Sequence, residues 1–155
     1  VERLEPPAAS ATLSRDLARA IRAQVHLARG RAAQALEVLA GPPPEVRTPW
    51  LYFVPFYSRA EERFLRGEIL AELERYEGAL AWYGTVGAYG DDIVYVAPSH
   101  LRRAEIYELL GERENAALHY ARFVELWKDC DTELRPMVRH AEDRLASLVG
   151  ETETR

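Results

Sequence analysis

The sequence predicts an all-α protein made of about three helical hairpins and a terminal helix. Apolar residues recur at spacings of three and four along most of the 155 residues, as on one face of an α-helix. No segment has the alternating pattern of a convincing strand. With 48% hydrophobic and 29% charged residues, the composition is that of a globular domain, and the chain is long enough to bury a core without disulfides.

Seven helices follow from these apolar stripes and from the residues that interrupt them. Gly30 and Gly111 end two of the stripes, and Ser58 followed by Glu61 has the spacing of a capping box at a helix start. Pro98 suits the first turn of the fifth helix. The expected helices are 14–29, 32–40, 58–73, 76–86, 99–110, 113–128 and 133–149.

The segments between the helices are rich in proline and glycine. Two short apolar stretches, 50–57 (WLYFVPFY) and 93–96 (IVYV), contain or precede a proline, so we predict extended connectors there rather than strands. The run GPPP at 41–44 is a helix stop. We therefore expect three regions, a flexible N-terminal segment, one helical repeat domain and a polar tail, at 1–10, 11–149 and 150–155.

A repeat becomes visible when the predicted turns are aligned. They lie at Gly30, Glu74 and Gly111, which are 44 and 37 residues apart, and each precedes a helix with an alanine near its start. A hairpin repeat of about 34 residues accounts for this spacing if connector residues lengthen both junctions. One hairpin cannot bury its own apolar face, so at least three are expected to stack.

The residues around these turns carry a family pattern. In the third unit a small residue, an aromatic residue, the turn glycine, a second small residue and a second aromatic residue follow in order: Ala104, Tyr107, Gly111, Ala116 and Tyr120. This pattern resembles the tetratricopeptide repeat family. The second unit fits with a glutamate in the place of the turn glycine: Gly67, Glu74, Tyr76, Ala79 and Tyr83. The first unit fits at four positions and departs at His26 and Pro42: Ala23, Gly30, Ala35 and Leu39.

The resemblance implies a right-handed α-solenoid in which 133–149 is the capping helix. More narrowly, residues 55–148 resemble the C-terminal repeat segment of large bacterial signalling proteins, namely serine/threonine kinases and transcriptional regulators. The function it implies is a non-catalytic scaffold for protein–protein interaction. The alternative is a self-association module that forms a homodimer through an aromatic connector or an open end of the array.

Other classes of function find little support in the sequence. The catalytic motifs for nucleotide, nucleophilic and zinc chemistry are missing, and one cysteine and four dispersed histidines suggest no metal site, so we predict neither enzyme activity nor a cofactor. A small α-helical enzyme using His100 and Glu105 remains as a rival. A net charge of −5 argues against nucleic acid, and the lack of a long apolar run argues against a membrane span. Because the only methionine is Met137, we interpret the chain as a processed product or a fragment, and we expect a cytoplasmic location.

The resemblance also implies where a partner would bind. In the family, the first helix of each hairpin lines a concave groove. The residues that match this side are Gln24, Phe64, Glu68, Leu101, Arg102, Glu105 and Glu108. They predict a mildly acidic groove that favours a basic or mixed peptide, unless the groove is merely solvated.

An aromatic cluster offers a second candidate surface. Six large apolar or aromatic residues fall within 50–57, and those chosen as a contact patch are Trp50, Tyr52, Phe53 and Phe56. The cluster could simply fill the space between the first two hairpins. Alternatively, it contacts a partner or a second copy, because aromatic residues dominate interface energetics.

Overall fold

A computed structural model describes residues 8–40, 59–87 and 92–150, although not the side chains of 8–13 and 16. Within these residues the protein is all-α, as predicted, with no strand. The described ranges contain seven helices, namely α1 (Ala8–Ala28), α2 (Ala32–Leu39), α3 (Ala60–Glu72), α4 (Tyr76–Gly84), α5 (Ile93–Leu109), α6 (Arg113–Trp127) and α7 (Arg135–Gly150).

Most helix boundaries agree with the predicted ones to within two residues, but α1 starts earlier than expected. It begins at Ala8 rather than at residue 14, so residues 8–10 of the expected N-terminal segment belong to this helix. Ala8, Ala9 and Ala11 are strong helix formers that an apolar-stripe criterion does not detect. The remainder of that segment, the expected cap Ser58 and residues 151–155 lie outside the described residues.

The start of α5 is the main correction to the predicted elements. Residues 93–96 are the first turn of this helix rather than an extended connector, and Pro98 lies inside it. The N–H that proline lacks would have bonded the carbonyl of Val94, so one bond near the helix start is lost. Contacts with α3 offset that loss, because the Tyr95 ring lies 5.3 Å from the Phe64 ring and the adjoining Asp92 is fully buried.

The three hairpin turns lie where the sequence predicts them and share one set of backbone hydrogen bonds. Gly30, Glu74 and Gly111 have φ angles of 68°, 56° and 73°. Each donates its N–H to the carbonyl three residues earlier, and the next residue donates to the carbonyl five residues before it, with N···O distances of 2.8–3.0 Å. This is the Schellman arrangement that ends a helix with a left-handed residue. Glu74 therefore adopts a conformation that glycine favours.

Small residues let the two helices of each hairpin approach closely. Seven residues before the three turns lie Ala23, Gly67 and Ala104, and five residues after them lie Ala35, Ala79 and Ala116. All six are buried. The residue nine positions after each turn is large and at most 1% exposed: Leu39, Tyr83 and Tyr120. Helix axes can approach to about 8 Å only over small contact residues, so the sequence pattern accounts for the crossing.

The described core consists of three hydrophobic clusters, two of which span the junctions between hairpins. Within each hairpin α1 packs on α2, α3 on α4, and α5 on α6. Between hairpins α2 packs on α3 and α4 on α5, while α7 packs on α6. Leu39 of α2 shares a cluster with Leu65 and Ile69 of α3, and Tyr83 of α4 shares one with Ile106 of α5. The first helices also touch, α1 with α3 and α3 with α5.

Candidate functional site

Ion pairs between the first helices of the hairpins form the most organised polar surface in the described residues. Arg19 of α1 contacts Glu62 of α3, with 3.2 Å between the paired atoms. Arg102 of α5 contacts Glu68 of α3 at 2.9 Å. We call this surface the charged row, and its residues on α1, α3, α5 and α7 are Arg19, Glu62, Glu68, Arg102, Glu105, Glu108 and Arg144.

The centre of the charged row joins three of the residues predicted to bind a partner. Arg102 donates to both carboxylate oxygens of Glu68, at 2.9 and 3.1 Å, and also to Glu105 at 2.9 Å. The hydroxyl of Tyr83 donates to Glu68 from beneath. Burial, followed by the charge of Glu68, raises the pKa of Tyr83 above its ordinary value, so the phenol stays a donor. A depression of about 230 Å³ opens beside this group, between the second and third hairpins.

The far end of the charged row connects the third hairpin to α7. Glu108 accepts a hydrogen bond from the Tyr120 hydroxyl at 2.9 Å and forms an ion pair with Arg144. Burial and the charge of Glu105 raise the pKa of Tyr120 to about 12. Glu108 is therefore occupied by internal partners rather than free to meet a ligand.

The near end of the charged row surrounds Glu62, which is 8% exposed. It accepts hydrogen bonds from Arg19, Arg59 and Arg66. Burial alone would raise the pKa of Glu62, but the hydrogen bonds from Arg59 and Arg66 outweigh it and hold that pKa below its usual range. Beside this group the amide of Gln24 donates to Glu61 at 2.7 Å, which ties α1 to α3 a second time.

The carboxylates of the charged row are paired with arginines rather than free, which the sequence interpretation did not include. The predicted glutamates Glu68, Glu105 and Glu108 are all paired with Arg102 or Arg144. Two predicted residues also differ from expectation in exposure. Leu101 is 7% exposed and belongs to the core, and Phe64 is partly buried with its ring 5.3 Å from that of Tyr83. The contact patch Trp50, Tyr52, Phe53 and Phe56 lies outside the described residues.

A histidine pair inside the third hairpin escaped the sequence analysis. The Nδ1 atoms of His100 and His119 are 2.7 Å apart, and the ring of Tyr107 stacks on His119 at 5.5 Å with only 4° between the planes. The pair could have been predicted from the hairpin itself. Two antiparallel helices joined at Gly111 bring together residues that lie at similar distances from that turn. Histidines eleven residues before and eight residues after it face each other.

The surroundings of this pair favour neutral rings. Burial, then the charges of Arg103 and His100, lowers the pKa of His119 to about 4. Burial, then Arg103 and Arg122, lowers the pKa of His100 as well. A hydrogen bond between the two Nδ1 atoms requires one of them to carry the proton and the other to accept it. In the described part of the chain, no three side chains of the metal-ligating types converge.

A second depression lies where α5 begins and α6 ends. It measures about 450 Å³ and is bordered by Ile93 and Val94, which are 76% and 67% exposed, and by Leu126 and Trp127. Glu125, Asp129 and Asp131 add acidic groups to its wall. The sequence does not predict this surface, because the apolar run at 93–96 indicates an extended connector there.

The rival enzyme interpretation required His100 and Glu105 to act together. The structure gives them different partners, since His100 contacts His119 whereas Glu105 binds Arg102. Among the helices of the described ranges, none has the length and apolar character needed to cross a bilayer. No protein-family model, curated protein or solved structure matches this chain.

Proposed function

We propose that this protein is a non-catalytic scaffold of the tetratricopeptide type that binds a protein or peptide along its charged row. The observation that carries the proposal is the geometry common to the three hairpins. Each has a left-handed turn, a pair of buried small residues at fixed offsets and a large buried residue nine positions after the turn. The same offsets carry the family resemblance in the sequence.

The packing order supports a solenoid with α7 as its cap, and the family resemblance implies that it is right-handed. The second helix of each of the first two hairpins packs on the first helix of the next, which is how stacked hairpins bury their apolar faces. Helix α7 buries Val138, Ala141 and Leu148 against the third hairpin, and its outward side carries Arg139, Glu142 and Asp143. A polar outer face is what the terminal element of such an array needs.

The centre of the charged row is the best candidate for the binding site. The side chains of Arg102 and Glu105 are 45% and 35% exposed, and they border the depression between two hairpins. An incoming carboxylate can exchange with Glu68 on Arg102, and an incoming basic side chain can bind Glu105. A peptide with both charges therefore fits better than a purely basic one. The family resemblance adds the proposal that this scaffold serves a larger bacterial signalling or regulatory protein.

The proposal can be tested with a random dodecapeptide display library selected against the full chain. Selected peptides are expected to carry both acidic and basic residues. Their affinity is expected to fall about tenfold in Arg102→Gln, because a charge-assisted contact at the centre of a binding interface contributes about this much. Glu142→Gln, at an exposed position of α7, is the matched control and should bind normally. Failure to select any peptide, or peptides that bind Arg102→Gln as tightly as the original, would contradict the proposal.

A further inference from the structure

One side of α1 carries an exposed apolar row. Leu17, Ile21 and Val25 are spaced by four residues, which places them along one face of the helix. They are 38%, 56% and 41% exposed, and none of them belongs to a hydrophobic cluster of the described residues. A row of this kind is what a second amphipathic helix covers.

The corresponding row of α3 is covered by the hairpin before it. Counted back from the turns, Ile21 corresponds to Leu65 and Val25 corresponds to Ile69. Leu65 is 5% exposed and Ile69 is fully buried, because both pack against α2, the second helix of the preceding hairpin. Two of the three positions that face solvent on α1 are therefore core positions on α3, and the third, Leu17, corresponds to the polar residue Glu61.

The third hairpin repeats this relationship at one position, since Ile21 corresponds there to Arg102, whose side chain is 45% exposed. Ile106 of α5 corresponds to Val25, is 4% exposed, and packs with Ala79 and Tyr83 of α4. In both junctions the covering helix presents an alanine and, four residues later, a large side chain. The exposed row of α1 has the register of both junctions at Val25 and of the first junction at Ile21, and among the described residues no helix precedes α1 to cover it.

An arginine beside the row has an informative counterpart. Arg22 corresponds to Arg66, whose Nη2 donates at 2.7 Å to the carbonyl of Leu39 at the end of α2. A cation at this position interacts favourably with the unpaired carbonyls at the C-terminal, negative end of the covering helix. Arg66 also has an ion-pair partner on its own helix, Glu62. The residue of α1 that corresponds to Glu62 is Ala18, so Arg22 has no carboxylate at the equivalent position. In the third hairpin the equivalent arginine lies near the histidine pair instead.

The charge next to the row points to an acidic partner. Arg15, Arg22 and Arg29 are exposed, are spaced by seven residues and so lie along one side of α1. In the described ranges none of the three forms an ion pair. Two copies of α1 would bring these like charges together, whereas a helix with acidic residues along its edge would neutralise them.

We propose that the exposed face of α1 is a docking site for an amphipathic helix of a partner protein. That helix carries an alanine and a large apolar residue four positions later, which pack on Leu17, Ile21 and Val25. It has an acidic edge, and its C-terminal carbonyls lie at Arg22. The inference rests on the proposed stacking of hairpins and assigns it a second surface, separate from the charged row.

The probe for this site is a fluorescein-labelled, hydrocarbon-stapled peptide of residues 31–40, the sequence of α2 that covers α3. Fluorescence anisotropy against the full chain is expected to give saturable binding. Ile21→Glu should weaken peptide binding at least about tenfold, because the substitution removes an aliphatic side chain that the bound peptide would bury and puts a charge in its place. Arg22→Gln should weaken it about threefold by loss of the carbonyl contact. Leu118→Glu, at a position of α6 that is 58% exposed, is the matched control and should bind as the original does.

Three results would overturn the inference. One is the absence of saturable binding to the original chain. Another is equal binding to Ile21→Glu, which would mean that the peptide displaces α2 from α3 instead. The last is a dimer in analytical ultracentrifugation that Ile21→Glu dissociates, because the face would then belong to a second copy. Matching thermal unfolding midpoints of Ile21→Glu and the original chain exclude misfolding as the cause of lost binding.

The two proposals fail independently. Suppose that Ile21→Glu no longer binds the peptide of residues 31–40, while Arg102→Gln binds the selected dodecapeptides as tightly as the original chain does. This result would support the α1 site and contradict binding at the charged row. The reverse pattern would support the charged row and contradict the α1 site.

Discussion

Glu74 has the backbone conformation of Gly111, with φ angles of 56° and 73° at equivalent hairpin turns. Each residue donates its N–H to the carbonyl three residues earlier, at 2.9 and 3.0 Å. A left-handed conformation costs a residue with a Cβ about 1–2 kcal/mol, whereas glycine adopts it freely. The second turn therefore carries a strain that the other two avoid.

Glu74→Gly is expected to stabilise the protein by about 0.5–1 kcal/mol. Relief of the left-handed strain exceeds the greater entropy that glycine gives the unfolded chain, which is about 0.4–1 kcal/mol. Gly111→Ala, the reciprocal change, should destabilise by about 1 kcal/mol, and open space around its Cβ excludes a steric contribution. Urea unfolding of both variants measures these differences. A destabilised Glu74→Gly would mean that Glu74 makes a contact outweighing its strain.

Gly67→Ala is expected to destabilise the protein even though alanine is the better helix former. A Cβ at Gly67 would lie 2.5 Å from Cε1 of the Tyr83 ring, so the crossing of α3 and α4 must open. Overpacking of this kind costs about 1–3 kcal/mol. Gly78→Ala in α4 is the matched control, since its Cβ would meet only a leucine methyl at 3.4 Å, and it should stabilise by up to about 1 kcal/mol. Equal effects of the two changes in thermal unfolding would contradict the assigned crossing.

The histidine pair should make the folded state less stable in acid. The pKa of His119 is about 4 in the folded protein and about 6.5 in the unfolded chain, so the unfolded state binds more protons between these values. The contribution is complete above pH 6.5 and is lost as the pH falls towards 4, by at most about 3 kcal/mol. Arg103 and Arg122 add repulsion to any imidazolium formed there.

Two measurements check this pH dependence. Titration by NMR should place the His119 transition well below pH 6. Chemical unfolding at pH 7 and 4.5 should give a smaller loss of stability for His119→Gln than for the original chain. An ordinary His119 titration near pH 6.5 would contradict the buried, proton-sharing pair.

The buried pair of Arg63 and Asp92 should contribute strongly to stability. Asp92 is fully buried, accepts from Arg63 at 2.6 Å and from the backbone N–H of Gly87 at 2.9 Å, and so fixes the start of α5 against α3. Arg63→Ala leaves this carboxylate without its cation and should cost about 3–5 kcal/mol in urea unfolding. Lys128→Ala, which breaks an exposed pair with Glu125, should leave stability unchanged. A similarly small loss in Arg63→Ala would show that Asp92 has adequate remaining partners.

The hairpin register could be predicted from sequence because its determinants are local. Small residues at fixed distances from Gly30, Glu74 and Gly111 are visible in the chain and become the buried helix crossings. The start of α5 could not be predicted, since its β-branched residues have strand propensity and only the contacts of Asp92 and Tyr95 with α3 make it helical.

The chemistry of the charged row also depended on tertiary structure. Glu68 and Arg102 are 34 residues apart and lie on different hairpins, so their pairing requires the stacking to be known. A list of glutamates on first helices therefore predicted an acidic surface. The contacts with Arg102 and Arg144 give each of these glutamates an arginine partner, which leaves three carboxylates facing two cations.

Reversing charges in the charged row should separate binding from stability. Changing Glu68, Glu105 and Glu108 together to arginine would place new cations beside Arg102 and Arg144. The triple change would therefore destabilise the fold as well as reverse the surface charge. The sharper experiment exchanges one pair. Arg102→Glu alone gathers three carboxylates at one place, whereas Arg102→Glu with Glu68→Arg restores opposite charges across α3 and α5.

The exchanged variant is expected to fold with a loss of stability of about 1–3 kcal/mol, because Glu68→Arg removes the acceptor of the buried Tyr83 hydroxyl, whereas the exposed charge pair itself contributes little. Its affinity for the selected dodecapeptides should also fall, since the cation that meets an incoming carboxylate has moved to α3. Arg102→Glu alone should bind more weakly still, with a reversed dependence of the association rate on salt for acidic peptides. Isothermal titration calorimetry and stopped-flow fluorescence measure the two effects. Full affinity in the exchanged variant would mean that the peptide recognises charge balance without regard to position, and would move the site away from Arg102.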